Sequence, residues 1–301
     1  MSYILVTGSE GLIGKQLCLS LEKSGRVVER FDIKFLKNHS NFGDILDVDC
    51  LPIKLEECIG VVHLGAVSRV VWGEKDPDHC WQTNVTGTQN IIRAAKNSPL
   101  KPWIVYASSR EVYGQQKNLP VEIDAEYVPI NIYARSKVTA EKEILQAREL
   151  GLRTAVVRYS SVYGSVHDHE DRVVPAFCRA AVLGTHLKIE GSDNILDFTH
   201  VDDSVKGTIA IINALERGEY ALPPVHLTTG VPTTLSTLAK LACKAAGREL
   251  NLIEAPSRSY DVARFCGSTV KTNQILGWQA EVPIATGVYD LTQQFKSLLQ
   301  V

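Results

Sequence analysis

Thr7-Gly8-Ser9-Glu10-Gly11-Leu12-Ile13-Gly14 is a T-G-x-x-G-x-x-G loop. It follows an apolar run, Ile4–Val6, and opens an amphipathic stretch, Gly11–Leu21, with Leu12, Ile13, Leu17 and Leu21 on one face. A strand, a glycine turn and a helix in that order let a pyrophosphate approach the backbone closely and meet the free N–H groups of the helix start. Such a loop calls for an acid about twenty residues on. Asp32 stands eighteen residues after Gly14, at the end of the run Val27–Phe31. A carboxylate there accepts hydrogen bonds from adenosine ribose hydroxyls and repels a 2′-phosphate. The pattern therefore predicts a dinucleotide site that prefers NAD to NADP.

Working outward, β-rich runs alternate with helical patterns. Strands are expected at Arg26–Phe31, Gly60–Leu64, Trp103–Ala107 and Arg153–Tyr159, and helices at Thr83–Ala95 and Tyr133–Leu150. Alternation at this spacing means right-handed βαβ units and a parallel sheet. After Tyr163 the pattern turns irregular, with a charged loop at His167–Arg172, a helix near Pro175–Leu183, and prolines at 223, 224, 232, 256 and 283. The expected fold is α/β, a doubly wound parallel sheet (Rossmann-like) with a smaller C-terminal substrate-binding domain. Residues 1–163 would form the NAD-binding unit, with segments at about 195–230 returning to it, and 164–301 mainly a lid. A ligand would lie in the crevice at the carboxyl ends of the strands.

Composition narrows the function classes. Thirty-two Lys and Arg against 34 Asp and Glu leave a net charge of −2, with no basic tract, so neither a nucleic acid nor an anionic membrane is an expected partner. The run Tyr3–Val6 is too short for a signal-peptide core, and no apolar run approaches the roughly 18 residues of a spanning helix. A soluble, cytoplasmic protein is expected. The seven cysteines are odd in number and scattered, with no C-x-x-C pair, which argues against disulfides and structural zinc. His167, His169, Glu170 and Asp171 form a metal-like cluster without a second ligand group at zinc spacing, and no metal is predicted.

Tyr133 and Lys137 are four apart on a predicted helix and share a face. An adjacent ammonium favours the phenolate, so the pair is expected to bring the phenol from its ordinary value of about 10 toward neutrality and make it a usable base.

The loop, Asp44-Ile45, His63-Leu64-Gly65-Ala66, Asn84-Val85-Thr86-Gly87-Thr88 and Tyr133-Ala134-Arg135-Ser136-Lys137 together resemble the extended short-chain dehydrogenase/reductases. Within that superfamily the chain is similar to the NAD-dependent nucleotide-sugar epimerase/dehydratase branch. The downstream marks are Tyr106 to Gly114 (YASSREVYG), Arg158 to Gly164 (RYSSVYG), Asp197 to Asp203 (DFTHVDD) and Lys271 to Trp278 (KTNQILGW). The resemblance runs from Ser2 to about Trp278. It implies that Gly8, Gly11, Leu12, Ile13, Gly14, Asp32, Asp44, Ile45, Leu64, Gly65, Ala66, Asn84, Ser108, Tyr133, Lys137 and Tyr159 hold NAD. It further implies that Tyr133 takes the proton of a sugar hydroxyl, usually at C4, while a hydride passes to the nicotinamide. Lys137 would contact the nicotinamide ribose, and Ser109 would complete the proton relay. The implied substrate is a nucleoside-diphosphate sugar, UDP- or dTDP-linked. The implied assembly is a homodimer through Thr83–Ala95 and Tyr133–Leu150, with Val138, Ile144 and Leu145 as an apolar stripe, a pattern that burial on the sheet explains equally well.

Glu111 matches the glutamate of the dehydratase and decarboxylase members, which in dehydratases acts on the C5 proton. The alternative is a carboxylate that only orients Arg110. Arg110 stands where 4,6-dehydratases carry the aspartate that protonates the leaving C6 hydroxyl, and an arginine that stays charged cannot be that acid. It either forks to a carboxylate or phosphate, which suits a uronic-acid sugar, or points outward to Glu122 or Asp124. Leu196 replaces the family's diphosphate arginine and Ser161 its usual asparagine, while Arg258 keeps the later arginine, with Arg172, Arg179 and Lys188 as candidate stand-ins. Arg110, Ser161 and Arg258 are thus the expected substrate contacts. The leading function is an NAD-dependent epimerase/dehydratase working through a 4-keto sugar. The competing ones are a simple NAD-dependent dehydrogenase/reductase of a small carbonyl compound, a UDP-uronate decarboxylase/epimerase, and a non-catalytic dinucleotide-sensing scaffold.

Overall fold

In the computed structural model, which describes residues 2–300, β1 (Tyr3–Thr7) sends Ile4 and Val6 into one hydrophobic cluster and Leu5 into another. Period two along a strand forces that division, and a strand apolar on both sides must be covered on both. The chain supplies the covers in turn. After β1 come α1 (Leu12–Lys23), β2 (Val28–Phe31), α2 (Cys50–Leu55), β3 (Cys58–His63), and the short α3 (Val70–Lys75) and α4 (Pro77–Trp81). A π-helical turn, Gln82–Thr86, leads into α5 (Gly87–Asn97), followed by β4 (Trp103–Ser109), α6 (Ile132–Gln146) and β5 (Thr154–Tyr159). The later elements are β6 (Ser161–Tyr163), α7 (Val173–Leu183), β7 (Leu187–Glu190), β8 (Ile195–His200), α8 (Val201–Glu216), β9 (Val225–Leu227), β10 (Pro232–Thr234), α9 (Leu235–Ala246), β11 (Leu252–Ala255), α10 (Val270–Leu276) and α11 (Ile284–Leu299).

Six strands form one parallel sheet in the order β2-β1-β3-β4-β5-β9. On one face Leu17 and Leu21 of α1 and Val205, Ile211 and Leu215 of α8 cover Ile4, Val6 and Val62. On the other, Ile91 of α5 and Ile144 of α6 cover Leu5, Val61 and Ile104. The chain crosses from one side of β1 to the other between β2 and β3, so the carboxyl ends of β1 and β3 frame the crevice where ligands bind in such sheets. Past β2 the chain returns to the sheet edge through a bridge from Asp32 to Phe42 and an ion pair from Lys54 to Glu29. A third apolar cluster joins Phe177 and Val182 of α7, Leu238 of α9, and Leu291 and Phe295 of α11, beside the small sheets β10-β8-β6 and β11-β7.

Helix boundaries follow local chemistry. Asn131 caps α6 by accepting the Ala134 N–H at 2.7 Å, the role short polar side chains fill at helix starts. Gly151, at φ 82°, ends the following 3₁₀ turn in the left-handed region that glycine tolerates. Of the two readings of the α6 stripe, the structure shows burial within the subunit. Ile144 is fully buried and Val138 nearly so within the subunit, and Leu145 packs against the same core as Ile144. The exposed positions of α6 are Arg135, Lys142 and Gln146. Among the described residues no helix is long and apolar enough to cross a membrane.

Candidate active site

A cavity of about 600 Å³ opens at the carboxyl ends of β1, β4 and β5. Gly8, Gly11, Leu12, Ile13 and Gly14 form one wall. The glycines are there for space. A Cβ on Gly14 would stand 2.2 Å from the Gly8 carbonyl oxygen, and one on Gly8, at φ +69°, 2.7 Å from the Gly65 nitrogen. Gly11 caps α1 without any side chain, which leaves the first-turn N–H groups for an anion. Leu64 and Ala66 border the same wall, while Gly65 donates its N–H to the Thr7 hydroxyl at 3.1 Å.

Asp32 lies outside the cavity lining and carries the loop. Its carboxylate accepts the Glu10 N–H at 2.8 Å and the Lys34 N–H at 2.9 Å. Asp44, Ile45 and Asn84 are likewise outside. Asp44 accepts the Leu46 N–H, Ile45 is buried against Gly87, and Asn84 ties Val67 to Ser136. The two faces of this wall are joined by His63, whose ring lies 2.8 Å from the Thr7 hydroxyl and 3.1 Å from that of Thr88.

Ser108, Ser109, Tyr133, Lys137 and Tyr159 meet at the floor. Lys137 donates to the Ala107 carbonyl at 2.8 Å, and its ammonium lies 5.9 Å from the centre of the Tyr133 ring. The electrostatics differ from the sequence expectation. Burial pushes the Tyr133 phenol up to about 12, against a hydrogen bond from Ser109 and the more distant charge of Arg172. Burial also pushes Lys137 down to about 8. Desolvation, which penalises any charged form, outweighs the pairing that spacing alone suggested. Ser108 borders the cavity, but its hydroxyl donates to Glu141. Glu141 lies one turn beyond Lys137 and forms a fully buried ion pair with Arg158 at 2.8 Å, which in turn reaches Tyr113 and the Ile123 carbonyl. The Tyr133 to Lys137 spacing was legible; Glu141 and its ion pair with Arg158 were missed by the sequence reading.

Arg110 and Glu111 follow Ser109 directly. Arg110 turns inward, meets Glu111 at 2.9 Å and lies over the Phe265 ring. The outward alternative fails, since Asp124 pairs with Lys271. Glu111 is buried. Its second oxygen accepts from the Asn131 amide at 3.1 Å, and burial raises its pKa against the opposing effect of Arg110. Asn131 therefore caps α6, holds Glu111, and donates to the Tyr260 carbonyl at 3.0 Å. Sequence reasoning missed it, although an Asn directly before an amphipathic helix signals a cap.

The far end carries Ser161, Lys188, Glu190, Leu196, Arg258 and Asp261. Of the three stand-in cations, Arg172 and Lys188 border the cavity. Arg179 pairs with Glu170 away from it. The metal-like loop is used in ion pairs: Asp171 binds Arg69 at 2.5 Å, Asp168 faces Arg172 at 3.3 Å, and the His169 ring meets Trp72 edge-on.

Comparison with known proteins gives a consistent picture. A family model described as the NAD dependent epimerase/dehydratase family matches residues 4–221. A UDP-glucose 4-epimerase of Lacticaseibacillus casei is 29% identical over 92% of this chain and 91% of its own. UDP-glucuronate 4-epimerase 4 of Arabidopsis thaliana is 27% identical over 98% of this chain and 75% of its own. The structure of UDP-glucose 4-epimerase from Thermotoga maritima with UDP-glucose superposes with a TM-score of 0.88 at 26% identity, covering 99% of each chain.

Proposed function

The chain belongs to the NAD dependent epimerase/dehydratase family, and on that premise we propose that it inverts C4 of a nucleoside-diphosphate sugar by oxidation and return reduction. The observation that carries this reading is the convergence of Ser109, Tyr133 and Lys137 with the glycine wall on one cavity. The cofactor fits the chain: the uncapped start of α1 and the glycines whose Cβ space is closed suit a diphosphate, Asp32, beside the loop it straps, keeps lone pairs for ribose hydroxyls, and Lys137, Ser108 and Tyr159 would border the nicotinamide end. NAD would supply the hydride acceptor. Tyr133 exchanges the proton of the C4 hydroxyl, with Ser109 hydrogen-bonding the phenol and so favouring its ionised form. Lys137 holds its position through the Ala107 carbonyl, and its depressed pKa lets its charge respond to what binds beside it.

Glu111 favours inversion over C5 chemistry. Both of its oxygens already accept, one from Arg110 and one from Asn131, so it acts as a positioning residue that aims Arg110 at the sugar end. A dehydratase or decarboxylase outcome keeps one support, the burial that raises the Glu111 pKa above its ordinary value. UDP- and dTDP-sugars are the substrates we put first, with Arg110, Ser161 and Arg258 at the sugar-nucleotide end. We extend the reading to a cytoplasmic homodimer. The seven cysteines are free and six of them buried, as suits a reducing compartment. The subunit contact would use the polar outer faces of α5 and α6.

An NMR time course with UDP-, dTDP-, GDP- and CDP-sugars plus NAD tests this. The expected result is a 4-epimer with no net change in nicotinamide absorbance. Accumulation of reduced nicotinamide in step with product would overturn it in favour of a simple dehydrogenase.

A further inference from the structure

Every cation at the far end of the cavity is already matched by a carboxylate. Glu190, the last residue of β7, accepts from Lys188 at 2.9 Å through one oxygen and lies 3.2 Å from the Arg258 Nε through the other. Arg258 also meets Asp261 at 2.9 Å, and all four residues line the cavity. Two positive and two negative side chains leave this end neutral. Leu196, on β8 nearby, adds apolar surface rather than charge.

We infer that Glu190 is an internal counter-ion that occupies the cations of the diphosphate site and is exchanged for the substrate's diphosphate, so that it sets affinity for the nucleotide end. The inference rests on the reading of the substrate as a nucleoside-diphosphate sugar. The geometry distinguishes the two carboxylates. Asp261, three residues from Arg258 in the same loop, fixes the guanidinium's direction. Glu190 reaches it from a different element and bridges to Lys188, so releasing Glu190 frees Lys188 and leaves Arg258 held by Asp261 alone, without dismantling the loop. Its side chain is about 30% accessible, as is required of a group that must swing away. An incoming diphosphate offers more oxygens to the same donors than one carboxylate does, but it must first displace that carboxylate. Binding is weaker by the strength of the pairs lost.

The test is calorimetry of UDP and dTDP binding to the NAD-loaded protein, for wild type, Glu190→Gln, Arg258→Gln and the double variant, over a range of salt. The expected result is binding about two- to fivefold tighter in Glu190→Gln, the scale of a partly exposed ion pair, with a steeper loss of affinity as salt rises. Wild type should respond less, because salt weakens the competing internal pair as well as the ligand contact. The gain from Glu190→Gln should shrink in the Arg258→Gln background, which a long-range charge effect or a fold change would not produce. Unchanged or weaker binding in Glu190→Gln, with wild type binding UDP or dTDP normally, overturns the counter-ion role and leaves the substrate reading standing. Binding of neither nucleotide to any of the four proteins overturns both.

Discussion

The two ends of the cavity are built from different materials. The coenzyme end is backbone: glycines closed against Gly8 and Gly65, uncapped amides at the start of α1, and a loop strapped by Asp32. The sugar-nucleotide end is side chain, and its charges are paired with one another: Arg110 with Glu111, Arg172 with Asp168, Arg258 with Glu190 and Asp261. Backbone geometry is fixed before any ligand arrives, whereas paired side chains must be rearranged by it. On the proposed reading, that difference predicts a coenzyme held more tightly than the substrate.

The junction between the ends gives the largest expected effect. Tyr133→Phe should lower turnover by roughly 10²–10⁴ while NAD binding survives, since nothing in the glycine wall changes; near-normal turnover would remove Tyr133 from the chemistry. Gly14→Ala should strike the coenzyme end alone. Its Cβ has no room beside the Gly8 carbonyl, and overpacking of this kind costs about 1–3 kcal/mol, or about five- to 150-fold in NAD affinity. UDP affinity measured on the same variant should stay near wild type, and a parallel loss would show that the two ends are not independent.

What the sequence could and could not reveal follows the same division. Glycine spacing, strand and helix periods, and the four-residue step from Tyr133 to Lys137 are local signals, and the sheet and the glycine wall were legible from them. Pairings between distant positions were not. Arg69 and Asp171 are 102 residues apart; Glu111 orienting Arg110 was one of two alternatives the sequence offered, but the Asn131 and Phe265 contacts that hold the pair were not legible. The expected lowering of the Tyr133 phenol failed for a related reason. Proximity to Lys137 is visible in a sequence, but the burial that pushes the phenol up to about 12 is not.

A smaller effect tests Asp32. Asp32→Asn removes the negative charge that a 2′-phosphate would meet, so the preference for NAD over NADP should narrow by about tenfold. Calorimetry with both cofactors would show an unchanged preference if the loop's shape rather than this charge selects the cofactor. The smallest effect concerns pH. Burial pushes His63 down to about 3 and His226 to about 4, so both stay neutral in the folded protein. Once unfolded they take protons below their ordinary value of about 6.5. Between about 6.5 and 4 the unfolded chain binds more protons, and stability must fall as pH drops through that window. Thermal midpoints should decline by several degrees across it. His63→Asn should flatten the decline, and an identical slope would place the sensitivity elsewhere.

The central claim is that C4 is oxidised and reduced within one cavity while Glu111 leaves C5 alone. Running the reaction in D₂O with a substrate the panel identifies, and reading the product by NMR, tests both parts at once. The account predicts a 4-epimer carrying protium at C4, because the same hydride leaves and returns, and protium at C5, because the Glu111 carboxylate is held by Arg110 and Asn131. Deuterium at C5 would make Glu111 a base and the reaction a C5-active one. Solvent deuterium at C4 would rule out hydride return altogether.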